Sequence, residues 1–208
     1  MKKIFTIGHS NHSIEAFLDL MVRYEINCIA DVRSIPYSKY TPQFNSKELK
    51  DVLKEQDILY IYLGKELGAR RDERELYTPE GYLDFEKVSQ SPLFQSAIER
   101  IKTGIDKGFN IALMCAEKDP IDCHRNILVA RQFHESKYNV LNIMGDGSVQ
   151  SQDNIEQRLL DLYFSDRMQP TLFGTNDPID EANLIANAYR LKNMEIGYYL
   201  DREEEVVF

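Results

Sequence analysis

The chain has no apolar run of membrane-spanning length, and Ile4 to Ile7, which follow Lys2-Lys3, are too few for a signal peptide. The expected location is therefore the cytoplasm, with no membrane partner. Cysteine is scarce: Cys28, Cys115 and Cys123 are all there is, and an odd number in a reducing compartment argues against a disulfide framework. Catalytic, metal-binding and merely buried roles stay open for them, with Cys28 read as buried and inert inside a strand. Positive charge is in deficit, 25 lysines and arginines against 34 aspartates and glutamates, a net charge of −9. That argues against broad electrostatic binding to nucleic acid and confines any polyanion contact to a local cluster. Two motifs are missing as well. There is no short Cys-x2-4-Cys zinc knuckle, so the Cys-x7-Cys-His spacing of Cys115, Cys123 and His124, which can supply three ligands, is assigned no metal, and no cofactor is called for. Nor is there a Cys-x5-Arg phosphatase loop, so phosphatase and rhodanese mechanisms do not transfer. No internal repeat is visible.

What is there is an ordinary globular composition, 43% hydrophobic and 28% charged, in 208 residues, enough for one well-cored domain and an appendage. Short apolar runs at 3–7, 27–32, 58–63, 111–115 and 140–144 read as strands. Helical patterns lie between and after them, from Ser13, over 46–56, 82–89, 92–107, 120–134 and 150–164. Strand alternating with helix predicts an α/β, three-layer fold with a mainly parallel sheet of about five strands and helices on both faces. The domain is placed at 1–165. Residues 166–208 read as a turn-rich linker and a C-terminal extension, with a helix over 179–194 and an acidic tail at 201–205.

Four polar blocks follow predicted strands: Gly8-His9-Ser10, Asp31-Val32-Arg33, Gly64 to Arg71, and Cys115 to Arg125. In open parallel sheets ligands bind outside the carboxyl ends of the strands, so the four should border one pocket. The last block is the richest. Asp119 is placed to cap a helix, Pro120 fits its first position, and Cys123, His124 and Arg125 then fall in its first turn. Unpaired backbone N–H groups and the helix dipole there favour an anion and lower a thiol pKa. Cys123 is the candidate nucleophile, with Cys115, Glu117, His124 and His9 as the other catalytic candidates. The plainer alternative is two buried thiols under a cap, a structural His9, and Asp31 and Glu117 serving as salt-bridge partners of Arg33 and Arg125. Candidate substrate-binding residues are Ser10, Asp31, Arg33, Tyr37, Lys39, Tyr40, Lys65, Arg70, Arg71 and Arg125. Cations that hold phosphate beside aromatics that stack bases point to a phosphate-bearing small molecule or a nucleic acid. The same residues also fit a solvated loop with its aromatics folded onto the core.

The pattern Cys-x-Glu-x-x-Pro-x-x-Cys-His-Arg, formed by Cys115, Glu117, Pro120, Cys123, His124 and Arg125, resembles the DUF488 family of bacterial and archaeal proteins of unknown function. Gly8-His9-Ser10, Asp31-Val32-Arg33 with Pro36, Pro42 and Phe44, and Leu67-Gly68 followed by basic residues extend the resemblance over residues 4–160, roughly. It implies a fold and a motif but no reaction. Three readings follow: a hydrolase or transferase acting on a phosphate-bearing substrate at a Cys/His/Arg site, a non-catalytic nucleotide or nucleic-acid binding module, and a metal or redox sensor using Cys115 and Cys123. In the linker, Gln169-Pro170-Thr171-Leu172-Phe173 resembles the Gln-x-x-Leu-Phe peptides by which bacterial repair and replication proteins dock on the sliding clamp. Gln169, Leu172 and Phe173 are accordingly the candidate partner-binding residues, with a link to DNA repair. The competing reading has Leu172 and Phe173 anchoring the tail on the domain.

Overall fold

A computed structural model of the chain describes residues 2–10, 12–168 and 180–200. Strands β1 (Lys3–Gly8), β2 (Cys28–Asp31), β3 (Leu59–Tyr62), β4 (Ile111–Cys115) and β5 (Asn139–Ile143) are parallel, and a short β6 (Val149–Ser151) pairs antiparallel with β5. They form one sheet in the order β3-β2-β4-β1-β5-β6. Helices α1 (Ile14–Arg23) and α2 (Ser46–Glu55) cover one face. The other face carries α3 (Gly64–Leu67), α4 (Phe85–Gln90), α5 (Pro92–Asp106), α6 (Arg131–Glu135), α7 (Gln152–Tyr163) and α8 (Glu181–Ile196). This is the three-layer α/β arrangement that the alternation predicts. Among the described residues no helix is long and apolar enough to cross a membrane.

The two-residue period of a strand divides the core. In β4, Ala112 and Met114 join Phe17 and Met21 of α1 and Leu49 and Leu53 of α2, whereas Ile111, Leu113 and Cys115 join Phe94, Ile98 and Ile101 of α5 and Phe133 of α6. Both faces of β4 are thus buried, which is why it reads as an unbroken apolar run. Each fully buried Leu or Phe contributes about 1.5–3 kcal/mol as an upper bound. Helix starts follow local chemistry: Ser13 Oγ accepts from Ala16 N, and Ser91 Oγ accepts from Phe94 N with Pro92 just inside α5.

Three elements differ from expectation. β6 takes the first residues assigned to a helix over 150–164: the turn Gly145 to Ser148, closed by Met144 N to Ser148 O and with Gly147 at φ 78°, folds the chain back onto β5. The helix then starts at Gln152, capped by Ser151 in a reciprocal box with Asn154. The helix expected over 82–89 starts only at Phe85, because Thr78 N binds Tyr82 O and Leu83 N binds Tyr198 O, drawing Tyr82 and Leu83 into extended pairings. The helix expected over 120–134 is broken in two, with consequences described below.

The chain leaves β1 and β4, which are neighbours, toward opposite faces: α1 follows β1 on one side and α6 follows β4 on the other. Such a topological switch opens a crevice at the carboxyl ends. Here His9 N bonds Cys115 O and Ser10 N bonds Ala116 O, so the two loops are stitched together just beyond the sheet. Helix α8 is held to this end. Asn193 donates from its side-chain amide to Leu83 O and accepts from Phe85 N, Tyr189 is buried in the core, and Lys192 bridges Asp122 at 2.7 Å and Glu195 at 2.9 Å. The acidic tail at 201–205 and the peptide Gln169 to Phe173 lie outside the described residues.

Candidate functional site

The site is built on the descent from β4. Cys115 ends the strand, and Asp119 caps a single 3-10 turn, Pro120–Asp122, by accepting from Ile121 N at 3.1 Å. Cys123 is extended (φ −133°, ψ 133°), which interrupts the helix. The chain resumes at His124 with a π-helical segment, Arg125–Ala130, and passes into α6. Cys123 therefore sits in a break between two helical pieces, with its thiol turned inward, instead of in a first helical turn. The wide π turn has an identifiable partner. Asn126 donates to Asn142 Oδ1 (2.8 Å) and Gln152 Oε1 (2.9 Å) and accepts from Gln152 Nε2, in a buried amide network that also takes in Thr6 and Tyr189. Irregular helix of this kind is common beside functional sites.

The break brings Cys115, Glu117, Cys123 and His124 together, one donor atom from each lying within 4.8 Å of all the others. Cys123 Sγ is 2.8 Å from Glu117 Oε2, and Cys115 Sγ is 3.8 Å from His124 Nδ1. His124 Nε2 is 3.0 Å from Val32 O, which can only accept, so Nε2 donates and Nδ1 is left facing the sulfur. The two thiols are pushed apart in pKa. Burial and the Cys123 sulfur raise Cys115 well above an ordinary thiol. Burial also opposes ionisation of Cys123, but the hydrogen bond from Cys115 and the charges of Arg125 and His124 outweigh it and hold Cys123 well below the usual value. Burial and the neighbouring Cys123 raise Glu117. Burial opposes a charged His124, but Cys123 prevails and raises it. Cys28, far from the cluster in β2, is pushed up to about 11 by burial alone.

Arg125 is fully buried and does not face solvent. Its NH1 donates to Glu117 O at 2.6 Å and its NH2 reaches Lys118 O, so the guanidinium clamps the loop that carries Glu117. Gly8 makes room for that clamp: a Cβ there would lie 1.8 Å from Glu117 O and 3.2 Å from Arg125 NH1. The second block is equally committed. Arg33 binds Asp31 through Nε (2.9 Å) and NH2 (2.6 Å), Phe44 O through NH2 (2.8 Å) and His9 Nε2 through NH1 (3.0 Å). Four of its five N–H donors are thus used. Because a guanidinium only donates, His9 Nε2 must accept. The ring stacks on Phe44 at 4.4 Å, its Nδ1 has no partner among the described residues, and burial and Arg33 push its pKa down to about 4. A Cβ on Gly64 would lie 1.9 Å from Arg33 O, so the third block packs directly on the second.

A cavity of about 570 Å³ opens above the cluster at the carboxyl rim. Of the residues proposed from sequence, it is lined by Arg33, Arg70, Cys115, Glu117 and His124. Cys123 lies directly behind Glu117 and is 1% exposed. His9, Asp31 and Arg125 support the wall from beneath. Arg71 is turned away, donating to Lys65 O and Glu66 O at the end of α3. Ser10, Tyr37, Lys39, Tyr40 and Lys65 do not line the cavity; Tyr37 and Tyr40 are exposed, and Lys39 sits 5.2 Å over the Tyr40 ring. The opposite wall was not legible in the sequence: Asp122 and the end of α8 with its following turn, Glu195 to Tyr199, face the cavity, and Arg70 stacks on Tyr198 at 5.0 Å. The local signal was limited to Lys192 near the end of the helix expected over 179–194, with Glu195 three residues on, just past that expected end.

Residues 13–132 of the chain match the family described as a domain of unknown function, DUF488. No curated protein and no solved structure matches it.

Proposed function

We propose that this chain, which belongs to the DUF488 family, is an enzyme that binds a phosphate-bearing substrate in the rim cavity and acts on it, as a hydrolase or transferase, at the Cys115, Glu117, Cys123 and His124 cluster. The observation that carries the reading is the cavity itself. Two guanidiniums, Arg33 and Arg70, stand on its wall, and thiol, imidazole and carboxylate groups meet at its floor. Among the described residues Arg33 keeps one N–H uncommitted, enough for a charge-assisted hydrogen bond to an anionic oxygen from a guanidinium already held rigid by Asp31. The carboxylates on the far wall do not oppose an anion strongly, because Asp122 and Glu195 both engage Lys192. Glu117 is exposed on the cavity side and hydrogen-bonded to Cys123 on the other, so it links the cavity to the buried cluster. Tyr198 and Tyr199 offer flat apolar surface beside the cations, which suits a nucleotide better than a bare phosphate.

The test is calorimetric binding across inorganic phosphate, nucleoside mono-, di- and triphosphates and a short single-stranded oligonucleotide, followed by product analysis of whatever binds. Arg70→Ala is expected to weaken binding about tenfold, a loss of about 1.4 kcal/mol. Glu117→Gln is expected to bind normally and lose turnover. A protein that binds none of these ligands sinks the substrate class, and a ligand bound tightly but returned unchanged by wild type sinks the enzymatic reading.

A further inference from the structure

The cluster on the cavity floor is a donor set, and its arrangement goes beyond what either substrate binding or core packing needs. We propose that Cys115, Glu117, Cys123 and His124 hold one zinc ion. The sequence spacing alone assigns no metal, because no short Cys-x2-4-Cys knuckle is present; the fold brings the ligands together by placing one at the end of β4 and two at the helix break. Four observations carry the assignment.

The first is distance. Zinc bonds of about 2.3 Å to sulfur and about 2.0–2.2 Å to nitrogen and oxygen place tetrahedral donor atoms roughly 3.3–3.8 Å from one another. Here the four donors lie mutually within 4.8 Å, with Cys115 Sγ and His124 Nδ1 at 3.8 Å. The second is orientation. His124 gives its Nε2 hydrogen to Val32 O at 3.0 Å, which leaves the Nδ1 lone pair directed into the cluster; ligating histidines are habitually oriented by such a hydrogen bond to a carbonyl. The third is chemistry. Two thiols, an imidazole and one carboxylate form a borderline-soft set that suits zinc and is wrong for magnesium or calcium, which take oxygen ligands.

The fourth is charge. Arg125 is 0% exposed, yet it forms no ion pair among the described residues; its partners are two backbone carbonyls, and its Nε has none. A buried cation is costly unless anionic charge stands close by, and the groups that Arg125 acts on are Cys123 and Asp119. Zinc with two thiolates and a carboxylate carries a net charge of −1, next to that guanidinium, and Arg125 also donates its backbone N–H to Cys123 Sγ at 3.4 Å. The clamp of Arg125 on the Glu117 carbonyl then becomes a support that orients one ligand while its charge compensates the others.

The inference does not rest on the enzymatic reading, since a metal held here is bound whether or not the cavity turns over a substrate. The experiment is elemental analysis of protein purified without chelators, followed by cobalt(II) titration of the metal-stripped wild type. The expected result is close to one zinc per chain, retained in Cys28→Ala and lost in Cys123→Ser and His124→Ala. Cobalt(II) should then give the intense visible bands of a tetrahedral site together with near-ultraviolet thiolate-to-cobalt charge transfer. The titration uses wild-type protein, so misfolding of a ligand variant cannot decide the matter. Protein isolated without metal that also gives no thiolate charge-transfer band with cobalt(II) overturns the proposal, as does metal that remains after Cys123 and His124 are both replaced. Failure of nucleotide binding with stoichiometric zinc present counts against the proposed substrate alone.

Discussion

Removing the carboxylate of Asp31 tests the reading of the rim as a set of buried, mutually supporting polar groups. Asp31 is 0% exposed and Arg33 is 6% exposed. The carboxylate accepts from Arg33 N, Nε and NH2 and from Tyr60 OH, at 3.1, 2.9, 2.6 and 2.7 Å. Asp31→Ala leaves a buried guanidinium with two donors unpaired and a tyrosine hydroxyl without its acceptor. Breaking a buried pair in this way costs about 3–5 kcal/mol, most of it from the charge left behind. In a chain of this size each kcal/mol moves Tm by about 2–4 °C, so a fall of about 6–20 °C is expected, with urea unfolding followed by circular dichroism giving the free energy. The decisive variant is the double one. Asp31→Ala with Arg33→Met removes both charges, and its cost should fall short of the sum of the single variants by about 2 kcal/mol or more. If Asp31→Ala costs under about 1 kcal/mol and the two changes simply add, the pair is solvated and the rim is not held as described.

His9 carries a pH signature: its folded pKa of about 4 lies below the ordinary value of 6.5, so between those values the unfolded chain takes up a proton that the folded chain refuses. Stability should therefore fall as pH falls through that window, by about 3 kcal/mol at its lower end, and His9→Gln should lack this component when compared with wild type by urea unfolding at each pH. Gly8→Ala forces a methyl into the Glu117 carbonyl and should cost about 1–3 kcal/mol while loosening the cluster; a crystal structure of the variant with Glu117 and Arg125 unmoved would contradict this. Lys192→Met unties α8 from the Pro120–Asp122 turn, and hydrogen exchange in residues 181–199 should accelerate with a loss of about 1–2 kcal/mol; unchanged protection there would show that the helix is held by its apolar face alone. A synthetic peptide spanning Gln169 to Phe173 is expected to bind a bacterial sliding clamp with a Kd on the order of micromolar and to lose binding when Leu172 and Phe173 become alanine; no binding of the parent peptide removes the clamp as a partner.

The sequence by itself determined the layers and the rim. Apolar runs such as Ile111–Cys115 have the length and composition of strands buried on both faces, and helical spacing in Phe17 and Met21 marks part of their cover. Because parallel strands all end on the same side, the blocks after β1, β2, β3 and β4 had to gather at one end. The local signal at Ser13 set its helix start correctly because a cap acts within three residues, while the one at Asp119 set only the short turn Pro120–Asp122.

Tertiary structure alone decided what each charged residue does. Arg125 and Arg33 look alike in sequence to Arg70, yet Arg125 is sealed under Glu117 and Arg33 is bound to Asp31 and His9, while Arg70 stacks on Tyr198, more than a hundred residues later in the chain. The break at Cys123 was equally hidden. Proline and aspartate before it favour a helix locally, and what overrides them is a long-range set of amides, Asn126 with Asn142 and Gln152, together with the pull of Glu117 on the thiol. The far wall of the cavity shares that cause, since it depends on contacts between segments distant in sequence, such as Leu83 with Tyr198, whereas β6 is a local hairpin with β5 across the turn Gly145 to Ser148. Periodicity and capping report interactions within a turn or two of one element; contacts between elements leave no such period, so only the folded chain reveals them.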